Sequence, residues 1–409
     1  MQNSIKPTLF GYGITTKAIA HSLGGGCIFF DDKVNEPYYD EEKNHILPSH
    51  LFDPDSSSLE VTTPSLNPTH PLILSAKNLK SEYEYILSSM DNPPLNIWIS
   101  GTNGKTTTTQ MLTHLLSDRG ALSGGNIGTP LAKLDPKAPI WVLESSSYTL
   151  HHTTEVSPNI YLLLPITPDH LDWHGSPEAY TEDKLRPLKG MREGELALIP
   201  KGLELPPTDA FVVEYNSVEF LEEYFSIDST KIEFKGAFLE DAMLAMAIVK
   251  VLFDSVDYTL INSFRVDAHR QEEQLDSSGR LWVNDSKATN IDASIQAIKT
   301  YGDRYIHLII GGDDKGVDLT PLFRVIREYD ITIYTIGTNS DRLLNFAKEY
   351  SVDSVECQTI DVAIKEIDSR HTLDSVALLS PASASFDQFN SYKQRGETFL
   401  KLSSNLRIY

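Results

Sequence analysis

Cysteine and long apolar runs are both scarce in this chain. Its two cysteines, Cys27 and Cys357, lie far apart and match neither a metal-binding nor a CxxC spacing, which favours a reducing compartment and no disulfide. No apolar run reaches the roughly 18 residues of a membrane span, and the first residues lack the basic and apolar regions of a signal peptide. We therefore expect a cytoplasmic protein without membrane association.

Positive charge is scarce as well. Lysine and arginine total 35 against 57 acidic residues, so the formal net charge is −22. A chain of this charge repels duplex DNA and anionic surfaces, and we expect no nucleic-acid partner. Any anionic ligand must therefore be held by a local group of cations or by a metal ion.

The remaining composition is that of a folded protein. Apolar residues make up 40% of the 409 residues and charged residues 22%, without internal repeats or long low-complexity segments. A chain of this length is expected to form two or three domains. Alternating short apolar runs and helical patterns predict the α/β class, with parallel sheets covered on both faces.

The first predicted domain, residues 1–92, begins with a strand, a glycine turn, a helix and a second strand: "TLFGYG", "ITTKAIAHSL" and "GGCIFFDD". This order is typical of a Rossmann-like module. The GxGxxG fingerprint is incomplete, because Thr16 stands where the third glycine would be. An NAD site is the alternative interpretation of this module. Prolines at 93 and 94 mark the domain boundary.

Two further α/β domains are predicted after that boundary. Residues 93–266 contain "NIWIS", "IWVLE", "NIYLLLPI" and "ELALIP" as strands of a central parallel sheet. Residues 267–409 contain "RLWVNDS", "IHLIIGG", "ITIYTIG" and "SVALLSP", with helices at about 292–300, 320–329, 340–350, 361–369 and 388–402 between and after them. This pattern predicts a second Rossmann-like sheet.

A phosphate-binding loop is predicted between the strand "LNIWI" and the following helix, in the stretch "SGTNGKTTTT". It departs from the full GxxxxGK[ST] pattern, because Ile99 stands in place of the first glycine. Backbone N–H groups still form an anion site at the start of the helix, Lys105 can reach the outer phosphates, and Thr106 can bind Mg²⁺. The predicted nucleotide-binding residues are Gly101, Thr102, Asn103, Gly104, Lys105, Thr106 and Thr107.

Other interpretations of the loop remain open at this point. It could be a glycine turn before a solvated, threonine-rich helix. A P-loop switch or motor would be expected to carry the complete motif. A non-catalytic nucleotide-sugar binding module would not need Lys105, Glu144 and Lys184 together.

Several stretches together resemble the Mur ligases, the ATP-dependent amide ligases of peptidoglycan synthesis, and their folate-polyglutamate relatives. They are "GTNGKTT", "GGNIGTP", "ESSSYTL", "ITPDHLDWHG" and "YTEDK". The resemblance implies an ATP-dependent enzyme with Mg²⁺ and three α/β domains, and it extends over all three predicted domains.

The resemblance also implies roles for residues after the central strands. Glu144 stands at the end of "IWVLE", where a parallel sheet places its ligands, and its oxygen suits Mg²⁺. By resemblance His170 helps to hold a second Mg²⁺, Lys184 is carbamylated by CO₂ into a carboxylate-like ligand, and Asn126 contacts substrate. The alternatives are a helix-capping acid for Glu144, a solvated turn residue for His170, and a phosphate contact or surface residue for Lys184.

The third predicted domain resembles the family member that adds D-glutamate to UDP-N-acetylmuramoyl-L-alanine. The stretches concerned are "DAHRQEEQ", "WVNDSKATN", "IIGGDDKGVDL" and "LLSPASASFDQF". The resemblance implies that Arg270 and Asp285 contact the nucleotide and that Lys287 is catalytic. It also implies that D-glutamate is bound by Thr289, Lys315, Ser385 and Phe386, with Tyr392 in the same substrate region. A dicarboxylate needs such converging cations and donors.

The first domain would bind the UDP-sugar. By resemblance its contacts are Gly13, Ile14 and Thr15 in the glycine turn, and Asp31 and Asp32 after the second strand. Two adjacent acids beside a diphosphate are unfavourable unless they face the base or the ribose. The expected reaction is activation of the L-alanine carboxylate by ATP to an acyl phosphate, followed by attack of the D-glutamate amine. The expected enzyme is a cytoplasmic monomer.

Overall fold

A computed structural model describes residues 6–406 of the chain. Contacts divide it into two compact units. The first runs up to Glu233 and includes Glu240–Ser263, and the second contains Phe234–Leu239 and the chain from Phe264 onward. The first unit contains two six-stranded sheets and the second unit contains a third.

The first sheet has the strand order β3-β4-β2-β1-β5-β6, and all its pairs are parallel except β3 with β4. Its core is formed by apolar residues such as Leu9, Phe29 and Val61, which are fully buried. The elements are β1 (Thr8–Phe10), α1 (Ile14–Ser22), β2 (Ile28–Asp31), β3 (Tyr38–Tyr39), β4 (His45–Pro48), β5 (Glu60–Thr62), α2 (Pro71–Ser75), β6 (Leu79–Lys80) and α3 (Glu82–Ser88).

The second sheet is wholly parallel, in the order β12-β11-β10-β7-β9-β8. Its four inner strands are almost wholly buried, and Trp98, Trp141 and Tyr161 lie in one apolar cluster. The elements are β7 (Leu95–Ser100), α4 (Lys105–Leu115), β8 (Ala121–Gly125), β9 (Ile140–Glu144), α5 (Ser147–His151), β10 (Ile160–Leu163), α6 (Leu171–His174), α7 (Pro177–Leu185), β11 (Leu196–Pro200), β12 (Phe211–Tyr215), α8 (Val218–Phe225), α9 (Gly236–Phe253) and α10 (Tyr258–Ser263).

The third sheet has the order β13-β14-β18-β15-β16-β17, with only β13 antiparallel to its neighbour. Apolar clusters cover both of its faces. The elements are β13 (Glu272–Leu275), β14 (Leu281–Asn284), α11 (Ile291–Thr300), β15 (Tyr305–Gly311), α12 (Thr320–Ile326), β16 (Ile331–Ile336), α13 (Ser340–Tyr350), β17 (Asp353–Gln358), α14 (Ile360–Asp368), β18 (Ser375–Leu379) and α15 (Tyr392–Ser404).

The strand order of the second sheet determines where a ligand can bind. Strand β7 lies between β9 and β10, with Ile99 opposite Glu144 and Ser100 opposite Leu163. The chain therefore leaves three adjacent parallel strands at the same edge. In doubly wound sheets, ligands bind at the carboxyl ends of strands where the strand order reverses.

The structure confirms the α/β class and every strand and helix predicted in the central and third sheets, with small shifts of bounds. The last helix begins at Tyr392 rather than near 388, because the Ser391 side chain caps it by accepting from the Gln394 N–H. Eight strands were not predicted: β3, β4, β5, β6, β8, β12, β13 and β17. The domain boundaries at 92/93 and 266/267 stay predictions. Among the described helices, none has the length and apolarity needed to cross a bilayer.

Candidate active site

The loop between β7 and α4 has a backbone that requires glycine at two places. Gly101 has a φ of +142°, and a Cβ there would lie 2.5 Å from the Leu164 Cβ atom. Gly104 has a φ of +81°, and a Cβ would lie 2.6 Å from the Asp241 Oδ1 atom. The loop is thus packed tightly, with its backbone shaped for a close approach to a ligand.

Side chains of the loop fix it to the segment after β10 and to helix α9. The Thr102 Oγ1 atom donates to the Thr167 carbonyl at 2.9 Å and accepts from the Thr167 N–H at 2.9 Å. On α4, the Thr108 Oγ1 atom lies 2.9 Å from the Asp241 Oδ1 atom and 3.0 Å from the Gly104 carbonyl. These contacts hold the loop in place from two sides.

Lys105 is the first residue of α4 and lies over the loop. Its Nζ donates to the carbonyls of Gly101 at 2.9 Å and Thr102 at 2.7 Å. The predicted sequence of strand, loop, lysine and helix is therefore present, with Thr106 and Thr107 in the first turn of the helix. This arrangement can bind the phosphates of a nucleotide.

Glu144 ends β9 beside the loop, and its side chain is buried. The Asn126 side chain donates to its Oε1 atom at 2.6 Å, which brings these two predicted residues together. Its Oε2 atom is buried and has no hydrogen-bond partner among the described residues. A buried carboxylate oxygen of this kind is expected to take up a donor or a cation. The Glu144 carbonyl accepts from the Tyr83 hydroxyl at 3.0 Å, a support that the sequence did not reveal.

Lys184 lies near the end of α7 and is 1% exposed. Its Nζ donates to the Gly101 carbonyl at 2.8 Å and lies 4.6 Å from the centre of the Tyr180 ring. Burial, assisted by the charge of Lys105, holds the pKa of Lys184 well below its usual value. Burial therefore favours the uncharged form of this amine, which is in contact with the phosphate-binding loop.

His170 follows β10 in a left-handed conformation with a φ of +54°. Burial lowers its pKa; Asp169 opposes this, and the charges of Lys105 and Lys184 add to the lowering. His170 is thus within electrostatic reach of both lysines. The structure brings four predicted residues to the ends of β7, β9 and β10 and the adjoining α7, namely Lys105, Glu144, His170 and Lys184.

The glycine turn of the first sheet explains its incomplete fingerprint. The Thr16 hydroxyl donates to the Gly11 carbonyl at 2.6 Å and accepts from the Gly13 N–H at 3.2 Å. Thr16 therefore stabilises the turn by hydrogen bonds where a glycine would only leave space. The predicted ligand residues Ile14 and Thr15 begin α1, and Ile14 is 71% exposed at a cavity of about 530 Å³.

The two acids after β2 have different partners. Asp31 accepts from the Tyr12 N–H at 2.6 Å, so that it helps to fix the glycine turn. Asp32 lies 2.9 Å from the His70 imidazole. Together with Gly13, Ile14 and Thr15 they lie at the carboxyl ends of β1 and β2.

In the second unit, Asp285 follows β14 and is buried. Its Oδ2 accepts from the Ser380 hydroxyl at 2.8 Å and its Oδ1 from the Gln271 N–H at 3.2 Å. Burial raises the pKa of Asp285 to about 7, although these hydrogen bonds and the charge of Arg270 oppose it. Lys287 lies in the same turn, with its Nζ 4.2 Å from the centre of the Tyr392 ring.

Arg395, which the sequence analysis missed, joins two turns of this unit. Its buried guanidinium donates to the Ser286 hydroxyl and carbonyl, each at 2.9 Å, and to the Ser383 carbonyl at 3.1 Å. The turn carrying Asp285 and Lys287 is thereby held against the turn that leads to Ser385.

The residues predicted to bind the acidic amino-acid substrate follow adjacent strands of the third sheet. Thr289 is exposed after β14, Ser385 is buried and Phe386 is 75% exposed after β18. Lys315 is exposed after β15, with a φ of +50°. Because β14, β18 and β15 are neighbours, these side chains share one edge of the sheet. Backbone hydrogen bonds between Asp313 and Ala384 connect the loop after β15 to the loop after β18.

The fold and this arrangement define a P-loop α/β protein with a buried acid and a buried lysine beside the loop. Residues 99–206 match the model of the Mur ligase middle domain. The chain is 49% identical over 398 residues to UDP-N-acetylmuramoylalanine–D-glutamate ligase from Campylobacter jejuni, covering 97% of this chain and 98% of that one. It is 44% identical over 415 residues to the enzyme of the same name from Helicobacter pylori, with coverage of 97% and 98%.

The chain therefore belongs to the Mur ligase family, and the resemblance inferred from the sequence is confirmed. Solved structures agree at the level of the fold. The match to MurF from Acinetobacter baumannii covers 97% of this chain and 91% of the MurF chain, at 16% identity and a TM-score of 0.61. MurF from Thermotoga maritima in complex with ADP covers 93% and 94%, at 14% identity and a TM-score of 0.56.

Replacing Gly101 by alanine tests the geometry of the loop. The clash with Leu164 must displace the loop, so we expect affinity for Mg-ATP to fall by about tenfold or more, equivalent to about 1.4 kcal/mol. Isothermal titration calorimetry measures this. Gly194→Ala is the matched control, because Gly194 also has a positive φ of +88° but nothing within 4 Å of the added Cβ. Equal nucleotide affinity in both variants would contradict this description of the loop.

Replacing Asp285 by asparagine tests the buried carboxyl. Its folded pKa of about 7 exceeds the unfolded value of about 4, so its contribution to stability is complete below about pH 4 and is lost as the pH rises towards 7. The variant lacks this loss. We therefore expect the difference in melting temperature, variant minus wild type, to be more positive at about pH 8 than at about pH 5. The exposed Asp303, replaced by asparagine, is the control; a difference that does not grow with pH would refute the assignment.

Proposed function

We propose that this chain joins D-glutamate to UDP-N-acetylmuramoyl-L-alanine and converts ATP to ADP and phosphate. The observation that carries the proposal is the convergence of Lys105, Lys184 and Glu144 around one phosphate-binding loop. The high identity to relatives named for this reaction, over nearly the whole chain, supports the choice of substrates.

The nucleotide is assigned to the loop and helix start, Gly101–Thr107. Backbone N–H groups of the loop and the positive end of α4 are suited to phosphate oxygens. Lys105 now binds two loop carbonyls, and the same ammonium can turn to the outer phosphates. Arg270 and Asp285 are proposed as further nucleotide contacts and Lys287 as a catalytic residue of the second unit.

The residues beside the loop fit a Mg²⁺ ion. Glu144 offers a buried oxygen that has no hydrogen-bond partner in the part of the chain that the structure describes. Thr106 offers a hydroxyl, and both are hard oxygen ligands of the kind that this ion prefers. His170 and Lys184 would complete the set. When bound, the ion neutralises charge that develops on the transferred phosphoryl group.

Lys184 is proposed to act as a carbamate. A neutral lysine nitrogen can bond to the carbon of CO₂ and release a proton to water, which leaves a carboxylate-like anion. Burial lowers the pKa of Lys184 and so favours the neutral amine that this reaction needs. The modification reverses the charge of this group, from a potential cation to an anion beside the loop.

In the proposed reaction, the L-alanine carboxylate attacks the γ-phosphate of ATP and forms an acyl phosphate. The amine of D-glutamate then attacks the acyl carbon, phosphate leaves, and an amide remains. Lys105 stabilises negative charge on the transferred group. The buried surroundings of the loop favour such electrostatic stabilisation, because water screens charges there less.

The two substrates are assigned to different sheets. The UDP-sugar is proposed to contact Asn126 and the ends of β1 and β2, through Gly13, Ile14, Thr15, Asp31 and Asp32. D-Glutamate is proposed to be bound through Thr289, Lys315, Ser385 and Phe386, with Tyr392 nearby in the substrate region. The division into three domains, the cytoplasmic location and the monomeric state stay predictions.

Phosphate release from Mg-ATP tests the proposed function. We expect release only when both UDP-N-acetylmuramoyl-L-alanine and D-glutamate are present, because the acyl phosphate forms only on the first substrate and needs the second for turnover. Reactions with L-glutamate, with L-lysine and without an amino acid are the controls. Release that needs neither substrate would instead indicate a hydrolysing P-loop protein.

A further inference from the structure

Asp183, the residue before Lys184 on α7, is a buried carboxylate with three side-chain donors. Its Oδ2 atom lies 2.8 Å from the Nδ1 atoms of both His151 and His174. Its Oδ1 atom accepts from the Arg186 guanidinium at 2.5 Å. Burial opposes ionisation of Asp183, but these hydrogen bonds outweigh it and lower the pKa of the carboxyl.

His174 carries this network across to helix α5. Its side chain is fully buried, and its Nε2 atom lies 3.0 Å from the Ser147 hydroxyl. Ser147 is the first residue of α5 and stands three residues after Glu144, while His151 is the last residue of the same helix. Asp183 is thus connected to both ends of α5.

The direction of the hydrogen bonds follows from the groups involved. A carboxylate only accepts, so the Nδ1 atom of His174 carries the proton, and the Nε2 atom of a neutral ring accepts from Ser147. The order of serine, histidine and aspartate is that of a hydrolytic triad. Ser147 is only 3% exposed, which leaves no room for a substrate at its hydroxyl, so the network is structural in this position.

The network joins α7, which contacts the phosphate-binding loop, to α5, whose preceding segment contacts the strand that leads into the loop. On one side, the Lys184 Nζ donates to Gly101. On the other, the Ser145 N–H donates to the Ile99 carbonyl at 2.8 Å, immediately after Glu144. A shift of α5 against α7 would therefore change the separation of Glu144 and Lys184.

We propose that Asp183 and His174 are positioning residues that fix Lys184 relative to Glu144 and so determine how tightly the site holds its divalent cation. The inference rests on the proposed function, which assigns Glu144 and Lys184 to that cation. Supporting groups around metal ligands set ligand orientation and affinity. Here the support is a continuous chain of hydrogen bonds from Asp183, beside Lys184, through His174 to Ser147, three residues after Glu144.

The side chains of His151, His174 and Asp183 could also be considered as a metal site, because one ligand atom from each lies within 4.8 Å of the others. Their hydrogen bonds argue otherwise. Both imidazoles already share Asp183 Oδ2, and Arg186 takes the other oxygen. Glu144, in contrast, has a buried oxygen for which residues 6–406 provide no hydrogen-bond partner.

Three variants test the inference. Ser147→Ala removes one hydroxyl while leaving the cap of α5, which is the Ser146 side chain. Asp183→Asn removes the charge at the centre of the network. His152→Phe is the matched control: this ring also packs near Trp173, at 6.1 Å between centroids, but its buried Nε2 has no partner among the described residues.

Direct binding of Mn²⁺, followed by electron paramagnetic resonance in the presence of ADP, is the main measurement. We expect the dissociation constant to rise about tenfold in Ser147→Ala and in Asp183→Asn, the lower end of the range for supporting residues of a metal site. The double variant should be no weaker than Asp183→Asn, because both break one chain of bonds. His152→Phe should leave the constant within about twofold even if its melting temperature falls.

Each other outcome has a definite meaning. Unchanged Mn²⁺ affinity in Ser147→Ala and Asp183→Asn overturns the inference, as does a fall in melting temperature without a change in affinity. Loss of one whole equivalent of Mn²⁺ in Asp183→Asn, with the rest bound as before, shows a metal at Asp183 itself and also overturns it. If Asp183→Asn does not fold, Ser147→Ala decides. A wild type that releases no phosphate with both substrates refutes the proposed function itself, and the inference with it.

Discussion

The hydrogen bond from Lys184 to the Gly101 carbonyl is the contact on which the rest of the site depends. It places a buried amine against the backbone of the phosphate-binding loop, at 2.8 Å. Protonation of this amine costs free energy in this position, because burial and the neighbouring Lys105 both disfavour its positive charge. A neutral, nucleophilic lysine at the loop is what the proposed carbamate chemistry requires.

The contact also depends on parts of the chain that carry no chemistry. Gly101 can adopt its positive φ beside Leu164 only because it lacks a side chain. Helix α7 is held at its end by the Tyr161 hydroxyl, which donates to the Lys184 carbonyl, and at Asp183 by two imidazoles and a guanidinium. In a chain of net charge −22, Lys105 places a positive charge at this loop and opposes the overall negative field there.

Local patterns made much of this predictable from the sequence. The loop "SGTNGKTTTT" follows a buried strand and starts a helix, so its function depends on neighbours in sequence. Buried strands such as β7 and β15 show as continuous apolar runs. Edge strands such as Tyr38–Tyr39 and Asp353–Gln358 are short or partly exposed and carry no such run, so they were missed.

Contacts between distant residues were the part that could not be predicted. Nothing in the local sequence shows that His174 joins Ser147 to Asp183, that Tyr83 supports Glu144, or that the buried Arg395 connects two turns. These partners are separated along the chain and meet only through the packing of the sheets. The roles predicted for Glu144 and Lys184 came from family resemblance. The structure adds physical support for these predictions: a Glu144 oxygen that has no hydrogen-bond partner among the described residues, and a Lys184 amine whose charged form burial disfavours.

Transfer of ¹⁸O tests the central claim, that ATP activates a carboxylate at this loop. The measurement is mass spectrometry of the phosphate released when the L-alanine carboxylate of the UDP-sugar is labelled with ¹⁸O and D-glutamate and Mg-ATP are present. Attack of that carboxylate on the γ-phosphate predicts one ¹⁸O atom in each phosphate from the fully labelled carboxylate. Phosphate without label would show that water attacks ATP, and would contradict the acyl phosphate and the role proposed for the site.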